Sequence, residues 1–159
     1  MDERLYAAAT QRNREPILGV LRGVLPERGT VLEIASGTGE HAVWLAAKLP
    51  GIAIQPSDPD PDARASAAAW IDFADLPNIE APLDIDVCAD AWGVEREAPF
   101  DAIVSINMVH IAPWAASRGL FAGAARLLGA EAPLVLYGPF MRRGLDTAPS
   151  NAAFDASLK

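Results

Sequence analysis

Residues 30–39 read TVLEIASGTG, and this stretch decides the fold. Thr30–Ala35 is a short apolar run with β-branched residues, and it ends directly at a loop that contains Gly37 and Gly39. A helix-like stretch, His41–Leu49, follows the loop. A buried parallel strand typically has this form, because a short apolar run must turn at once into a crossover helix. The stretch therefore predicts a strand, a glycine turn and a helix.

The rest of the chain repeats this alternation of strand and helix. Apolar runs predict four further strands, at Ile52–Gln55, Ile79–Val87, Phe100–Met108 and Leu134–Tyr137. Helices are expected after Asp60, which can cap a first turn that begins at Pro61, and from about Pro113. An N-terminal helical segment is expected over about Glu3–Leu25, with Pro16 breaking or restarting it. The alternation predicts an α/β fold with a mostly parallel sheet and helices on both faces.

Composition limits the classes of function. Thirteen basic and twenty-one acidic side chains among 159 residues give a net charge of −8, which argues against a nucleic-acid partner and against binding to an anionic membrane. One cysteine and two histidines are too few for a disulfide, a cysteine-based zinc site or a histidine-only cage, so no metal is expected. No leader sequence and no apolar stretch of about 20 residues is visible, so a cytoplasmic setting is expected. The length suggests one domain over 1–159, with a helical cap at 1–25 and a core at 30–159.

Ligand-binding residues are expected where the strands end. In open parallel sheets, ligands bind outside the carboxyl ends of the strands, near the point where the strand order reverses. The dinucleotide fingerprint G-x-G-x-x-G is incomplete here, because Ala42 takes the place of the third glycine, although alanine is tolerated there. Asp58, nineteen residues after Gly39, can accept hydrogen bonds from ribose hydroxyls. These features indicate an adenosine nucleoside and leave the reaction open.

An acid inside the first strand precedes the glycine loop. Glu33 is followed at alternate positions by Ala35, Gly37 and Gly39. This pattern resembles motif I of class I S-adenosylmethionine-dependent methyltransferases, with Ala35 replacing the first of three glycines. The chemistry suits that ligand, because Gly37 lets backbone lie against it and the next helix offers free N–H groups to a carboxylate.

Further segments extend the resemblance from about Arg12 to Asp155. They are Arg12-Asn13-x-x-Pro16-Ile17-Leu18, Val31–His41, Gln55-Pro56-Ser57-Asp58, Ile106-Asn107-Met108-Val109-His110, Tyr137-Gly138-Pro139-Phe140 and Ser150-Asn151-x-x-Phe154-Asp155. Together they resemble a methyltransferase-like family of unknown function found in bacteria and animals, in which alanine at position 35 is usual. The resemblance implies a Rossmann-like class I methyltransferase fold and S-adenosylmethionine as cofactor. It does not imply a substrate.

The resemblance also implies which residues hold the cofactor. Glu33 would orient the cationic amino end, and Asp86 would accept from the adenine amino group, with Asp84 as the alternative because both point the same way along a strand. Arg12 would meet the methionine carboxylate or else form a surface salt bridge. The full set of cofactor candidates is Arg12, Asn13, Glu33, Ala35, Ser36, Gly37, Gly39, His41, Asp58, Asp86 and Asn107, of which His41 is alternatively a helix-surface residue.

Three residues near the ends of the last two strands are candidates for catalysis. His110 has an unperturbed pKa suited to a general base, although a structural histidine bonded to a carbonyl is the alternative. Asn107 ends the fourth predicted strand and can bond the acceptor. Tyr137 ends the fifth and lies near the same crevice, or else only packs there.

Three classes of function fit these residues. The leading hypothesis is a methyltransferase that acts on a small molecule. The second is a non-catalytic cofactor-binding or interaction protein that retains the fold. The third is a nicotinamide-dependent oxidoreductase, against which Glu33 argues.

The C-terminal end of the predicted core departs from the class I pattern. Class I methyltransferases normally add two strands, one antiparallel, beside the fifth, and none is visible before Lys159. Leu134–Tyr137 would then be a bare apolar edge, which proteins usually protect. Either the core is C-terminally incomplete in this sequence, or a second subunit covers the edge, as in a homodimer.

Overall fold

A computed structural model describes residues 2–157, and within them the chain forms six helices and four strands. Each helix of the predicted strand–helix alternation is present. In chain order the elements are α1 (Ala8–Val24), β1 (Gly29–Ile34), α2 (Glu40–Lys48), β2 (Ile52–Ser57), α3 (Pro61–Ala74), β3 (Ala102–Ile106), α4 (Met108–Ile111), α5 (Trp114–Leu127), β4 (Leu134–Tyr137) and α6 (Pro149–Ser157).

The four strands form one parallel sheet in the order β2-β1-β3-β4. Val31 of β1 lies opposite Ile54 of β2 on one side and Ala102 of β3 on the other. The chain builds the sheet outward from β1 in both directions, so the strand order reverses between β1 and β3. The predicted α/β fold with a parallel sheet is confirmed.

The segment predicted as a strand at 79–87 is not a regular strand. It runs beside β2 through two isolated bridges, Ile54 to Ile79 and Ser57 to Leu83. Pro82 in this segment and Pro56 in β2 each lack the N–H group that a continuous ladder needs. Proline can still accept a hydrogen bond through its carbonyl group, and the Leu83 N–H donates to the Pro56 carbonyl at 3.0 Å.

Helix α1 passes through Pro16 without interruption, which corrects the expectation of a break there. Proline removes the N–H that would bond the carbonyl of Arg12, at some cost to the helix. Pro16 is exposed, whereas the opposite face buries Ile17 and Leu21 against the sheet. This burial offsets the missing bond. The helix begins only at Ala8, so the expected helical start near Glu3 is also wrong.

Two apolar layers cover the two faces of the sheet. Side chains alternate along β1, so Val31 packs with α1 and α2, whereas Leu32 and Ile34 pack with α5. Glu33 shares the face of Val31 by the same alternation. The strand therefore directs a carboxyl group toward the layer formed by α1 and α2.

Residues 2–7, here called the N-terminal strap, are bonded across α2 and α3. The Leu5 N–H donates to Ser66 Oγ at 2.8 Å, and that hydroxyl donates to the Thr38 carbonyl at 2.8 Å. The Ala7 N–H donates to the Glu40 carboxylate. These bonds connect the strap directly to the loop between β1 and α2.

The sheet edge formed by β4 is only partly covered. All four of its residues are half-buried in the structure of residues 2–157. In the same part of the chain, no helix is both long enough and apolar enough to cross a membrane.

Candidate functional site

A cavity of about 370 Å³ lies at the carboxyl ends of β1 and β3, where the strand order reverses. This is the position at which parallel sheets bind ligands, and the volume is in the range of small-molecule sites. The strap, α1, the loop after β1 and the residues after β3 enclose it. Its lining consists of Ala7, Ala9, Thr10, Glu33, Ala35, Ser36, Gly37, Thr38, His41, Ile106, Asn107, Met108, Ile111 and Ala112.

The loop after β1 contains three left-handed residues. Ala35, Gly37 and Gly39 have φ values of 57°, 56° and 86°. A methyl group at position 39 would lie 2.5 Å from the Ala67 Cα, so Gly39 is needed for the packing of the loop on α3. A methyl group at position 37 would meet nothing within 4 Å, so the backbone there faces open space. The two glycines thus have different roles, one in packing and one beside the cavity.

Hydrogen bonds to β2 fix the shape of this loop. The Ser36 N–H donates to the Ser57 carbonyl at 2.8 Å, and the Ser57 N–H donates to Ser36 Oγ at 3.1 Å. Asp58 Oδ2 accepts from the Gly37 N–H at 3.0 Å, and Asp58 Oδ1 accepts from the Asp60 N–H at 2.9 Å. Asp58 therefore holds the loop in place through the Gly37 N–H and does not line the cavity itself.

Glu33 is the buried acid of the cavity. Its side chain is only 2% exposed, and Oε2 has no hydrogen-bond partner within residues 2–157. Burial raises the pKa of this carboxyl to about 7, with the Ser36 hydroxyl opposing the rise and the charge of Asp58 adding to it. A buried carboxylate is stable only with a proton or a cation beside it. A positively charged group of a ligand would therefore stabilise the Glu33 carboxylate.

His41 is held neutral beside the same cavity. Its Nε2 lies 2.7 Å from Asn13 Oδ1, which joins α2 to α1. Burial lowers the pKa of His41 to about 4, and nearby Arg14 lowers it further while Glu40 opposes the change. The neutral ring therefore donates its Nε2–H to the Asn13 carbonyl oxygen. His41 is buried, so it is not the helix-surface residue that was one expectation.

A second cavity, of about 380 Å³, adjoins the first and shares Ala9 and Asn107 with it. Asn107 follows β3 with a φ of 66°, and its N–H donates to the Tyr137 carbonyl at 2.8 Å. Four of the predicted site residues line this cavity: Arg12, Asn13, Asn107 and Tyr137. Its full lining is Ala9, Arg12, Asn13, Asn107, Tyr137, Gly138, Pro139 and Asn151.

His110 lines neither of these two cavities. It borders a third, smaller cavity of about 250 Å³, where its ring packs edge-on against Phe140 at 4.5 Å between centroids. Gly138 makes room for the ring, since a methyl group there would lie 2.1 Å from His110 Cδ2. Its Nε2 is buried with no partner within residues 2–157, and this burial lowers the pKa of His110.

Asp84 and Asp86 are exposed and line none of the three cavities. Both point away from the core, whereas Ile85 between them is buried, as the predicted alternation requires. Asp84 forms an ion pair with Arg64 at 3.3 Å, and Asp86 Oδ1 accepts from the Cys88 N–H at 2.8 Å.

Sequence reasoning missed the contribution of the strap and the first turn of α1. Ala7, Ala9 and Thr10 line the first cavity, and Thr10 is only 2% exposed. The helical spacing of Thr10, Asn13 and Ile17 contains a signal for this face. On this face of α1, Thr10 lines the first cavity, Asn13 lines the second, and Ile17 belongs to the core.

A family model described as "Protein of unknown function (DUF938)" matches residues 4–159. The chain belongs to this family.

Methyltransferases are among the solved structures that match this fold. The apo form of the S-adenosylmethionine-dependent methyltransferase SibL matches with a TM-score of 0.75 and 21% identity, over 94% of this chain and 41% of that one. An O-methyltransferase family protein from Burkholderia thailandensis matches with a TM-score of 0.72 and 21% identity, over 94% of this chain and 45% of that one. CalO1, a methyltransferase in calicheamicin biosynthesis with SAH bound, matches with a TM-score of 0.69 and 15% identity, over 91% of this chain and 41% of that one.

These matches show that the chain has the class I methyltransferase fold. The chain spans less than half the length of each of these three proteins.

Proposed function

We propose that this member of the DUF938 family binds S-adenosylmethionine in the first cavity and transfers its methyl group to a small-molecule acceptor. The observation that carries the proposal is Glu33, a buried carboxyl with one oxygen unbonded in a cavity at the reversal of strand order. The amino group of the cofactor is a cation of the kind that this carboxylate requires. One of the matched methyltransferases has SAH bound, which supports the same ligand class here.

The loop after β1 would hold the rest of the amino-acid end. Gly37 leaves open space where a side chain would stand, so backbone can contact the ligand directly. Helix α2 begins after Gly39 without a side-chain cap, and its first N–H groups can donate to a carboxylate. Ala35 and Ser36 form the wall between this position and Glu33.

The adenosine end would extend out of the first cavity, toward the carboxyl end of β2 and the segment at 79–87, whose residues do not line that cavity. Asp58 has already bonded two backbone N–H groups, and each carboxylate oxygen retains a lone pair for a ribose hydroxyl. Asp86, an exposed residue of the 79–87 segment, would accept from the adenine amino group, with Asp84 as the alternative. Arg64 links this region together, since it donates to the Asp58 carbonyl and pairs with Asp84.

The bound cofactor would supply a methyl group already activated by its sulfonium. The protein then has to bind, orient and shield the two reactants, which accounts for much of the rate of such transfers. Asn107 lines both cavities, which supports a role for its side chain in bonding an acceptor whose reacting atom faces the first cavity. Tyr137 would orient that acceptor from the second cavity, and His110 would take its proton only after a shift of the 138–141 segment.

A small acceptor is supported by the size of the second cavity and by the net charge of −8. The charge disfavours nucleic acid and anionic membranes as partners, and a cytoplasmic setting is part of the proposal. A second subunit would cover the half-buried edge at β4, as in a homodimer.

Thermal unfolding with S-adenosylmethionine, S-adenosylhomocysteine and NAD tests the cofactor. A ligand at about 100 times its Kd stabilises a protein by about 2.7 kcal/mol, which is roughly 5–10 °C in Tm for a domain of this size. We expect this shift with the two sulfur nucleosides and none with NAD. A shift with NAD alone would support an oxidoreductase, and binding of the sulfur nucleosides without methyl transfer to any acceptor pool would support a non-catalytic binding protein.

A further inference from the structure

We infer that the methyl acceptor is a small molecule that carries a carboxylate or phosphate, and that Arg12 binds this anion in the second cavity. The inference rests on the proposed function and assigns the substrate class of the same site. It starts from the lining of the second cavity, which contains one cation, Arg12, and no carboxylate. The other polar side chains there are neutral: Asn13, Asn107, Tyr137 and Asn151.

The two adjoining cavities carry opposite charge. Glu33 is the one acid in the lining of the first cavity, and His41 there is neutral. The lining of the first cavity therefore offers a carboxyl group to a ligand cation, and the lining of the second offers a guanidinium to a ligand anion.

Arg12 forms no ion pair within residues 2–157, where the ion pairs are Arg4 with Asp2 and Arg64 with Asp84. Its guanidinium is exposed at the cavity and retains its five donors for a ligand. The planar arrangement of those donors matches the two oxygens of a carboxylate or phosphate.

The geometry of α1 separates Arg12 from the cofactor position. Thr10 lines the first cavity and Arg12 the second, and residues two apart on a helix point about 200° apart around its axis. Ala9, which lies between these directions, borders both cavities. The carboxylate of the cofactor would instead meet the start of α2. Arg12 therefore serves the acceptor, which differs from its expected role at the methionine carboxylate.

Binding at Arg12 would hold the acceptor by its anion while a second atom reacts near Asn107. The reacting atom would be an oxygen or nitrogen of the acceptor. Its lone pair would bond to the methyl carbon, the electron pair of the carbon–sulfur bond would go to sulfur, and the proton of the acceptor atom would pass to water. The products are the methylated anion and S-adenosylhomocysteine. No oxidant or reductant is needed.

The test uses S-adenosylmethionine with a labelled methyl group and the small-molecule fraction of a cell extract. Labelled products are separated by anion exchange at a pH where carboxylates and phosphates are retained. The full chain is compared with R12Q, with R12K and with R22Q, a control that removes another exposed arginine from the same helix outside both cavities. Calorimetry gives the Kd of each variant for S-adenosylhomocysteine. Phosphatase treatment of the extract beforehand distinguishes a phosphate from a carboxylate.

We expect labelled product that anion exchange retains, a loss of about tenfold or more in R12Q, partial recovery in R12K and no loss in R22Q. The Kd for S-adenosylhomocysteine should stay within about twofold in all variants. A tenfold weaker Kd in R12Q would place Arg12 at the cofactor and overturn the inference, as would an uncharged product. Binding of S-adenosylhomocysteine by the full chain without any labelled product would instead overturn the proposed methyl transfer, and the inference with it.

Discussion

Replacing Glu33 with glutamine should stabilise the ligand-free protein and weaken cofactor binding. Burial raises the pKa of Glu33 from 4.5 in the unfolded chain to about 7 in the folded one. A carboxyl with a raised pKa contributes full stability below the unfolded value and loses it as the pH rises through the folded value. At about 1.4 kcal/mol for each pKa unit, the ionised carboxylate costs the folded protein about 3 kcal/mol at pH 8.

The measurement is urea unfolding of the wild type and E33Q at pH values from about 4 to about 8. Below pH 4.5 the two should have similar free energies of unfolding, because Glu33 is neutral in both the folded and unfolded states. The difference should grow with pH until E33Q is more stable by about 3 kcal/mol near pH 8. E27Q is the matched control, because Glu27 is exposed near the other end of β1 and should follow the wild type.

Cofactor affinity should change in the opposite direction. Removing one partner of a buried ion pair costs about 3–5 kcal/mol, so E33Q should bind S-adenosylhomocysteine on the order of 100- to 1,000-fold more weakly at pH 8. Wild-type affinity should fall as the pH drops below about 7, because Glu33 takes up a proton, and E33Q should lack this dependence. An E33Q protein that is less stable than the wild type at pH 8 would refute the reasoning, since Glu33 would then have an internal partner.

Three further substitutions test the loop and its neighbours. A35G relieves the left-handed strain of an alanine at φ 57° and should raise the free energy of unfolding by about 1 kcal/mol; a lower Tm in a circular-dichroism melt would contradict this. G39A should lower the free energy of unfolding by about 2 kcal/mol or more, because the added methyl group would contact Ala67. G37A should lower it less and should mainly weaken the binding of S-adenosylhomocysteine, which calorimetry measures. Equal effects of the two variants would show that the two glycines do not have separate roles. Burial lowers the pKa of His41 from 6.5 to about 4. As the pH falls from 6.5 to 4, the free energy of unfolding of the wild type, measured in urea, should therefore decrease by up to about 3 kcal/mol relative to that of H41Q. Parallel pH curves for the two proteins would show that the ring is accessible to solvent.

The sequence carried enough information for the central part of the fold. The apolar run 30–35, the two glycines and the following helix depend on local backbone preferences that a sequence displays directly. The cap at Asp60 is of the same kind, and its Oδ1 does accept from the Asp62 N–H at 2.9 Å. Local rules were sufficient where local interactions decide the structure.

The predictions failed where distant contacts decide. Pro16 opposes a helix locally, yet the burial of Ile17 and Leu21 against the sheet maintains it. The apolar pattern of 79–87 favours a strand, yet Pro56 on the partner strand and Pro82 within the segment limit the pairing to isolated bridges. Neither outcome is visible in a window of neighbouring residues.

The candidate site was partly predictable for the same reason. Topology places the ends of β1 and β3 together, so the alternation of strands and helices directed attention to Gly37 and Asn107, and the resemblance to motif I added Glu33. All three line the first cavity. Whether a residue of α1 faces one cavity or the other depends on the rotation of that helix against the sheet. For this reason the sequence left Arg12 either at the methionine carboxylate or in a surface salt bridge, and only the structure shows that it lines the second cavity.

The left-handed residues Ala35 and Asn107 end two adjacent strands, with φ values of 57° and 66°. At these two residues the backbone turns away from the direction of the strands, and the first cavity lies between the two turns. An arriving ligand therefore does not need to separate the strands, so little of its binding energy is consumed by reorganisation. The backbone forms the first cavity, whereas the side chains that line it determine which ligand it binds. Exchanging those side chains can redirect the protein to new ligands while the receptacle persists, which makes this scaffold readily evolvable.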